Sequence, residues 1–201
     1  MVSIYELKPA FQSMLRPLCR YLANAGVTAN QVTVAALILS LICAVAVAAT
    51  GGARWALLSV PVVLFLRMAL NAVDGMLARE HDMQTRRGAV LNELADVVSD
   101  SGLYLAFAFV NGLGATAVVA FAMTAVISEM TGVVAVQIGA SRRYDGPMGK
   151  SDRAFLVGVV ALALGLDLLS PAVWTWVFYV GAALAALTVF NRARRALNEA
   201  G

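Results

Sequence analysis

The sequence predicts an all-α integral membrane fold, with six transmembrane helices preceded by an amphipathic interfacial helix. Three observations lead there. The 201 residues are 61% hydrophobic and 13% charged, against about 45–50% apolar and 25% charged in soluble domains. So much apolar side chain cannot be hidden inside one small globule. The apolar residues also gather into six stretches of bilayer length, roughly 20 residues at 1.5 Å each. Finally, 13 of the 15 Lys and Arg fall on one side of the resulting up-and-down arrangement. This composition argues against a soluble enzyme, a disordered chain and a nucleic-acid binder, since the few basic residues sit at helix ends.

The first element occupies residues 3–24. Ile4, Leu7, Phe11, Leu15, Leu18 and Leu22 recur at steps of three and four, opposite Lys8, Gln12, Arg16 and Arg20. That pattern makes an amphipathic helix suited to the cytoplasmic membrane surface, with Pro17 as a point of bending. A signal peptide would carry a continuous apolar run, which is missing. Thr28-Ala29-Asn30-Gln31 reads as a capping box that starts the first span. The spans follow at 30–50, 55–79, 88–110, 113–139, 153–169 and 172–190, a bundle over 30–190 within one domain, 1–201. Gly51-Gly52, Asn111-Gly112 and Ser170-Pro171 are short turns that force antiparallel neighbours.

Orientation follows from the basic residues. Lys8, Arg16 and Arg20 precede the first span; Arg79, Arg86 and Arg87 join spans two and three. Arg142, Arg143, Lys150 and Arg153 join spans four and five, and Arg192, Arg194 and Arg195 follow span six. The positive-inside rule makes both termini and these loops cytoplasmic, in what is expected to be a bacterial cytoplasmic (inner) membrane. Cys19 and Cys43 lack metal or disulfide spacing and are expected to pack in the interior.

Charged residues inside a bilayer are expensive and mark function. Span two carries Arg67, Asn71 and Asp74, followed by Gly75, Ala78 and Arg79. Positions 67, 71, 74 and 78 fall within an arc of roughly 60°. Span three carries Asn92, Glu93, Asp96 and Asp100, of which 92, 96 and 100 share a face. Two neighbouring helices thus aim carboxylates and carboxamides at each other near their cytoplasmic ends. Hard oxygen donors of this kind suit Mg²⁺ or Mn²⁺, which bind phosphates alongside a few carboxylates. Gly75, Ala78 and Gly88 would let a nucleotide approach the backbone closely. Deeper in, Arg67 is expected to pair with Asp100 or Glu129 as a floor, because an unpaired buried charge costs several kcal/mol. A purely structural polar network is the plainer alternative. A small carrier would spread polar residues across the full thickness, yet the outer halves of the spans are apolar.

The run Asn71-x2-Asp74-Gly75-x2-Ala78-Arg79-x8-Gly88-x3-Asn92-x3-Asp96 resembles the CDP-alcohol phosphotransferase signature, D-x2-D-G-x2-A-R-x8-G-x3-D-x3-D. Its spacing is kept throughout. The resemblance extends to the amphipathic first helix, six spans and a basic loop. It implies a homodimeric, divalent-metal enzyme of phospholipid biosynthesis. Such an enzyme moves a substituted phosphate from a CDP-linked lipid such as CDP-diacylglycerol to a small alcohol and releases CMP. It also implies metal held at Asn71, Asp74, Asn92 and Asp96, with Asp96 as the base for the acceptor hydroxyl. Nucleotide would lie near Gly75, Ala78, Arg79 and Gly88.

Two positions depart from the signature, Asn71 and Asn92 standing where it has Asp. An amide oxygen can still ligate, but it carries no charge. Four carboxylates balance two Mg²⁺; two balance one. The departures leave open a degenerate family member that binds CDP-lipid or a partner without turnover. In the loop after span four, Lys150 and Arg153 are the candidates for gripping an acceptor phosphate or the donor pyrophosphate. Arg142 and Arg143 are assigned to lipid headgroups. Its Gly-x-x-Gly-Lys-Ser run lacks the full spacing and preceding strand of a phosphate loop. His81, the only histidine, falls in an exposed loop and has no assigned part.

Overall fold

The computed structural model describes residues 4–201, with side chains from residue 10 onward, and is all-helical among those residues. Seven α-helices follow one another: α1 (Ile4–Asn24), α2 (Ala29–Ala49), α3 (Arg54–Glu80), α4 (Arg86–Ala106), α5 (Ala115–Val134), α6 (Lys150–Gly165) and α7 (Pro171–Ala200). Single 3₁₀ turns at Phe107–Phe109 and Ala135–Ile138 extend α4 and α5. Four helical segments are long and apolar enough to cross a membrane: α2, α3, Ala115–Ile138 and α7. α4 falls short because it carries Arg86, Arg87, Glu93, Asp96 and Asp100, and α6 has only 16 residues. The bilayer-facing character of the chain shows in exposed side chains such as Ile42, Val45 and Phe155, the last 74% exposed, a surface that water would not tolerate.

The chain divides into two compact units, Met1–Ser40 with Val63–Ser99, and Leu41–Val62 with Asp100–Gly201. In the first, Cys19, Val32, Val73, Met76 and Leu77 are buried together, with Leu15, Leu22 and Leu70 packed against them. α1 is therefore tied to α3: Phe11 meets Phe65 edge-on at 6.2 Å between ring centroids, and Arg16 bonds Glu80 at 3.0 Å. That ion pair is well exposed and contributes little. The inward stripe of α1 runs through Phe11, Leu15, Cys19 and Leu22, as expected except at Leu18, which is 46% exposed while Cys19 beside it is buried. Ile4, Leu7 and Lys8 lie outside the described side chains. Burial pushes the Cys19 thiol above its ordinary range. The expected capping box forms, Thr28 N–H donating to Gln31 Oε1 at 2.8 Å and Gln31 N–H to Thr28 Oγ1 at 3.3 Å.

The second unit is built on α5 and α7. Tyr104, Phe107, Phe121 and Phe178 form a buried aromatic stack with centroids 5.3–5.9 Å apart. Gly114 N–H donates to Thr175 Oγ1 at 2.8 Å. Cys43 is buried beside Ser59. α7 runs to Ala200, ten residues past the expected end at Phe190. The reason is polar: Arg192, Arg195 and Glu199 share one helical face, and each bonds the segment 141–145. A sequence reading that stops where apolar residues stop misses a helix continued by ion pairs.

Candidate active site

Within the first unit an open cleft of about 540 Å³ is bordered by α2, α3, the turn after it and α4. Local rules place its walls. The capping box starts α2 so that Asn30 and Thr33, one turn apart, face the cleft. Asp82, in left-handed backbone at φ 54°, turns the chain at the end of α3, a conformation Asp tolerates better than most residues. Thr85 then caps α4 by accepting the Gly88 N–H at 2.9 Å.

Asp74, Gly75, Ala78, Arg79, Gly88 and Asn92 all border this cleft. Asp74 is 6% exposed and accepts a hydrogen bond from Thr33 Oγ1 at 2.8 Å. Thr33 was not singled out in the sequence, although a polar residue one turn after Asn30 in an apolar span was a usable signal. Gly88 has a specific reason to lack a side chain. A Cβ there would stand 2.7 Å from Asn30 Oδ1 and 2.9 Å from Thr85 Oγ1. Both are ends of side chains, but shifting Thr85 Oγ1 weakens the α4 cap, so Gly88→Ala is expected to lower the melting temperature modestly while pushing Asn30 into the cleft. CDP-lipid affinity should fall about tenfold, near 1.4 kcal/mol, in a binding titration of the purified variant.

Asn71 and Asp96 do not border the cleft. They bond each other, Asn71 Nδ2 donating to Asp96 Oδ1 at 3.0 Å. Arg67, 4% exposed, joins them: its Nη2 donates to Asp96 Oδ1 at 3.4 Å and to the Asp96 carbonyl at 3.3 Å. Arg67 thus holds Asp96, a contact the sequence reading did not name. Among the described residues no three of His, Cys, Asp and Glu gather as a metal site. The donors are hard oxygens, of the kind that suits a divalent ion. Asp74 and the amides of Asn92 and Asn30 offer oxygens around the cleft, whereas Asp96 Oδ1 already carries two N–H donors.

In the second unit, Arg153 and Arg192 are buried around Glu129. Arg153 donates to Glu129 Oε1 at 2.6 Å, to Ser128 Oγ at 2.9 Å and to the Met148 carbonyl at 2.9 Å. Arg192 lies 3.4 Å from Glu129 Oε1, and Arg142 3.4 Å from Oε2. Arg153 is therefore an internal ion-pair partner, fully buried, and Lys150 begins α6 one turn before it. Arg143 and Arg195 pair with Asp145, and Arg143 also with Glu199, so Arg142 and Arg143 serve the protein itself. Gly146, at φ 124°, lets this loop lie against Thr188, whose Cα would be 2.8 Å from an added Cβ.

Burial alone would raise the Asp145 carboxyl, but the hydrogen bonds and charges of Arg143 and Arg195 hold it below the usual carboxylate range. A group with a depressed folded value contributes stability at higher pH and loses it as pH falls through that value. Acidification below the ordinary aspartate range is therefore expected to loosen segment 139–149 first, read as faster amide hydrogen exchange there than in α5. Equal protection of both segments on acidification would contradict this.

The model of the family described as CDP-alcohol phosphatidyltransferase matches residues 26–189. The chain is 42% identical over 199 residues to "Inner membrane protein YnbA" of Escherichia coli (strain K12), covering 98% of this chain and 97% of that one. Two solved structures of Mycobacterium tuberculosis phosphatidylinositol phosphate synthase (PgsA1) share the fold at 21% identity. The one in complex with manganese and citrate has a TM-score of 0.79 and covers 92% of this chain and 90% of its own. The one with CDP-DAG bound has a TM-score of 0.76 and covers 92% of each.

Proposed function

The chain belongs to the CDP-alcohol phosphatidyltransferase family, and from that premise we propose that it transfers the phosphatidyl group of a CDP-linked lipid to a small alcohol, releasing CMP. One observation carries the reading: Asp74, Gly75, Ala78, Arg79, Gly88 and Asn92, the signature positions for nucleotide and metal, border one cleft. The CDP-DAG bound to the Mycobacterium tuberculosis enzyme supports the donor class.

Arg79 lies at the exposed rim, where it grips phosphate, and Gly75 and Gly88 keep the walls bare for the nucleotide. Asp74 and the Asn92 amide oxygen would hold a divalent ion, Mg²⁺ or Mn²⁺, which when bound supplies positive charge against the pyrophosphate. Asp96 takes the proton of the acceptor hydroxyl. The hydroxyl oxygen bonds to the lipid-side phosphorus as the bond from that phosphorus to the bridging oxygen breaks. CMP departs with the bridging oxygen. Arg67 and Asn71 orient the Asp96 carboxylate for this step. Lys150 is assigned to a phosphate carried by the acceptor. In the membrane we propose six crossings with both termini cytoplasmic, α4 and α6 completing the four apolar spans, α1 at the interface, and a homodimer as assembly.

Purified protein given labelled CDP-diacylglycerol and a panel of acceptors (serine, glycerol phosphate, inositol phosphate) is expected to release CMP with one of them and form the matching lipid. Asn71 and Asn92 favour a second reading, binding without turnover. CDP-lipid binding with no CMP release from any acceptor would establish that reading instead.

A further inference from the structure

The number of ions in this site, given the transferase reading above, follows from the surroundings of Asp96. Arg67 is buried in a membrane-spanning helix, where an arginine is retained only against a strong partner. Its guanidinium meets Asp96 twice, at the carbonyl and at Oδ1, and Asn71 donates to the same Oδ1. A guanidinium is always charged and has only donors to offer. A divalent ion arriving at that oxygen would face a fixed cation and two N–H groups pointing the same way as itself. The two neutral amides at 71 and 92 remove two negative charges, which is the charge of one divalent ion.

We propose that Arg67 is the resident cation of this site, standing in for a second divalent ion, so that the protein binds one ion per chain, on the Asp74 side. Arg67 acts through Asp96 and is a positioning residue. With few carboxylates in place, that ion binds weakly until a nucleotide adds its phosphates.

The test is a Mn²⁺ titration of the full chain in detergent micelles, free ion being read by electron paramagnetic resonance, with and without CDP as probe. One Mn²⁺ per chain is expected, its affinity at least tenfold higher with CDP. Two Mn²⁺ per chain, or none with CDP present, overturns the proposal. The triple variant Arg67→Met, Asn71→Asp, Asn92→Asp is expected to take two ions. Should it not fold, Asn71→Asp with Asn92→Asp, which retains Arg67, is expected to stay at one, and two ions there would overturn the proposal. Arg67→Lys keeps the charge without the fork, so it should also hold one ion, with kcat lowered and KM for CDP-lipid unchanged. None of the ion counts depends on CMP release, so a failed transferase reading and a failed ion count are separate results.

Discussion

Asp96→Asn is expected to cut CMP release by about 10²- to 10⁴-fold, the range that loss of a general base commands. Asparagine has the same shape, and its amide oxygen can accept from Asn71 and Arg67 as Asp96 Oδ1 does. What it cannot do is take a proton from the acceptor hydroxyl at neutral pH. The variant takes the carboxylate away from the buried Arg67 guanidinium, which keeps only the residue-96 carbonyl and an amide oxygen as acceptors, so the melting temperature should fall as well. CDP-lipid binding should persist, since Asp96 does not border the cleft. Near-normal turnover in a variant that binds donor would remove Asp96 as the base.

The largest effect on stability is expected from Glu129→Gln. One carboxylate there serves Arg153, Arg192 and Arg142, and the first two are 0% and 1% exposed. Removing the anion leaves two guanidinium groups buried without it, a loss of about 3–5 kcal/mol. Thermal unfolding in detergent would show it as a fall of several degrees at least. The double variant Glu129→Gln with Arg153→Met should recover part of that loss, because a neutral side chain then replaces an orphaned charge. If the double variant is as unstable as the sum of the two single ones, the pair is not coupled and the reading fails.

What could be read from residues alone divides along physical lines. Local features were legible: the Thr28–Gln31 box, the turns at Gly51 and Asn111, and the burial of Cys19 and Cys43. The cleft was legible because a fixed spacing on two helices determines which residues share a face, and Asp74 with Asn92 followed. Azimuth within a helix was less secure. The Arg67 contact with Asp96 was not foreseen, since a long flexible side chain reaches about a turn either way. Pairing at long range was beyond reach: Glu129 and Arg192 lie 63 positions apart, and nothing in their neighbourhoods says they meet. The basic loop looked like a grip for phosphate because its counter-ions, Glu129 and Glu199, stand on other elements.

The two cysteines carry a practical consequence. One buried thiol lies in each compact unit, Cys19 in the first and Cys43 in the second, and neither side chain is available to a bulky maleimide in the closed protein. Opening of either half would expose its own sulfur, so the speed of alkylation at each position, followed by mass spectrometry, clocks the two halves separately in the natural sequence. CDP-lipid should slow the modification of Cys19, whose α1 leans on the helix that carries Asp74, and leave the pace at Cys43 unaltered.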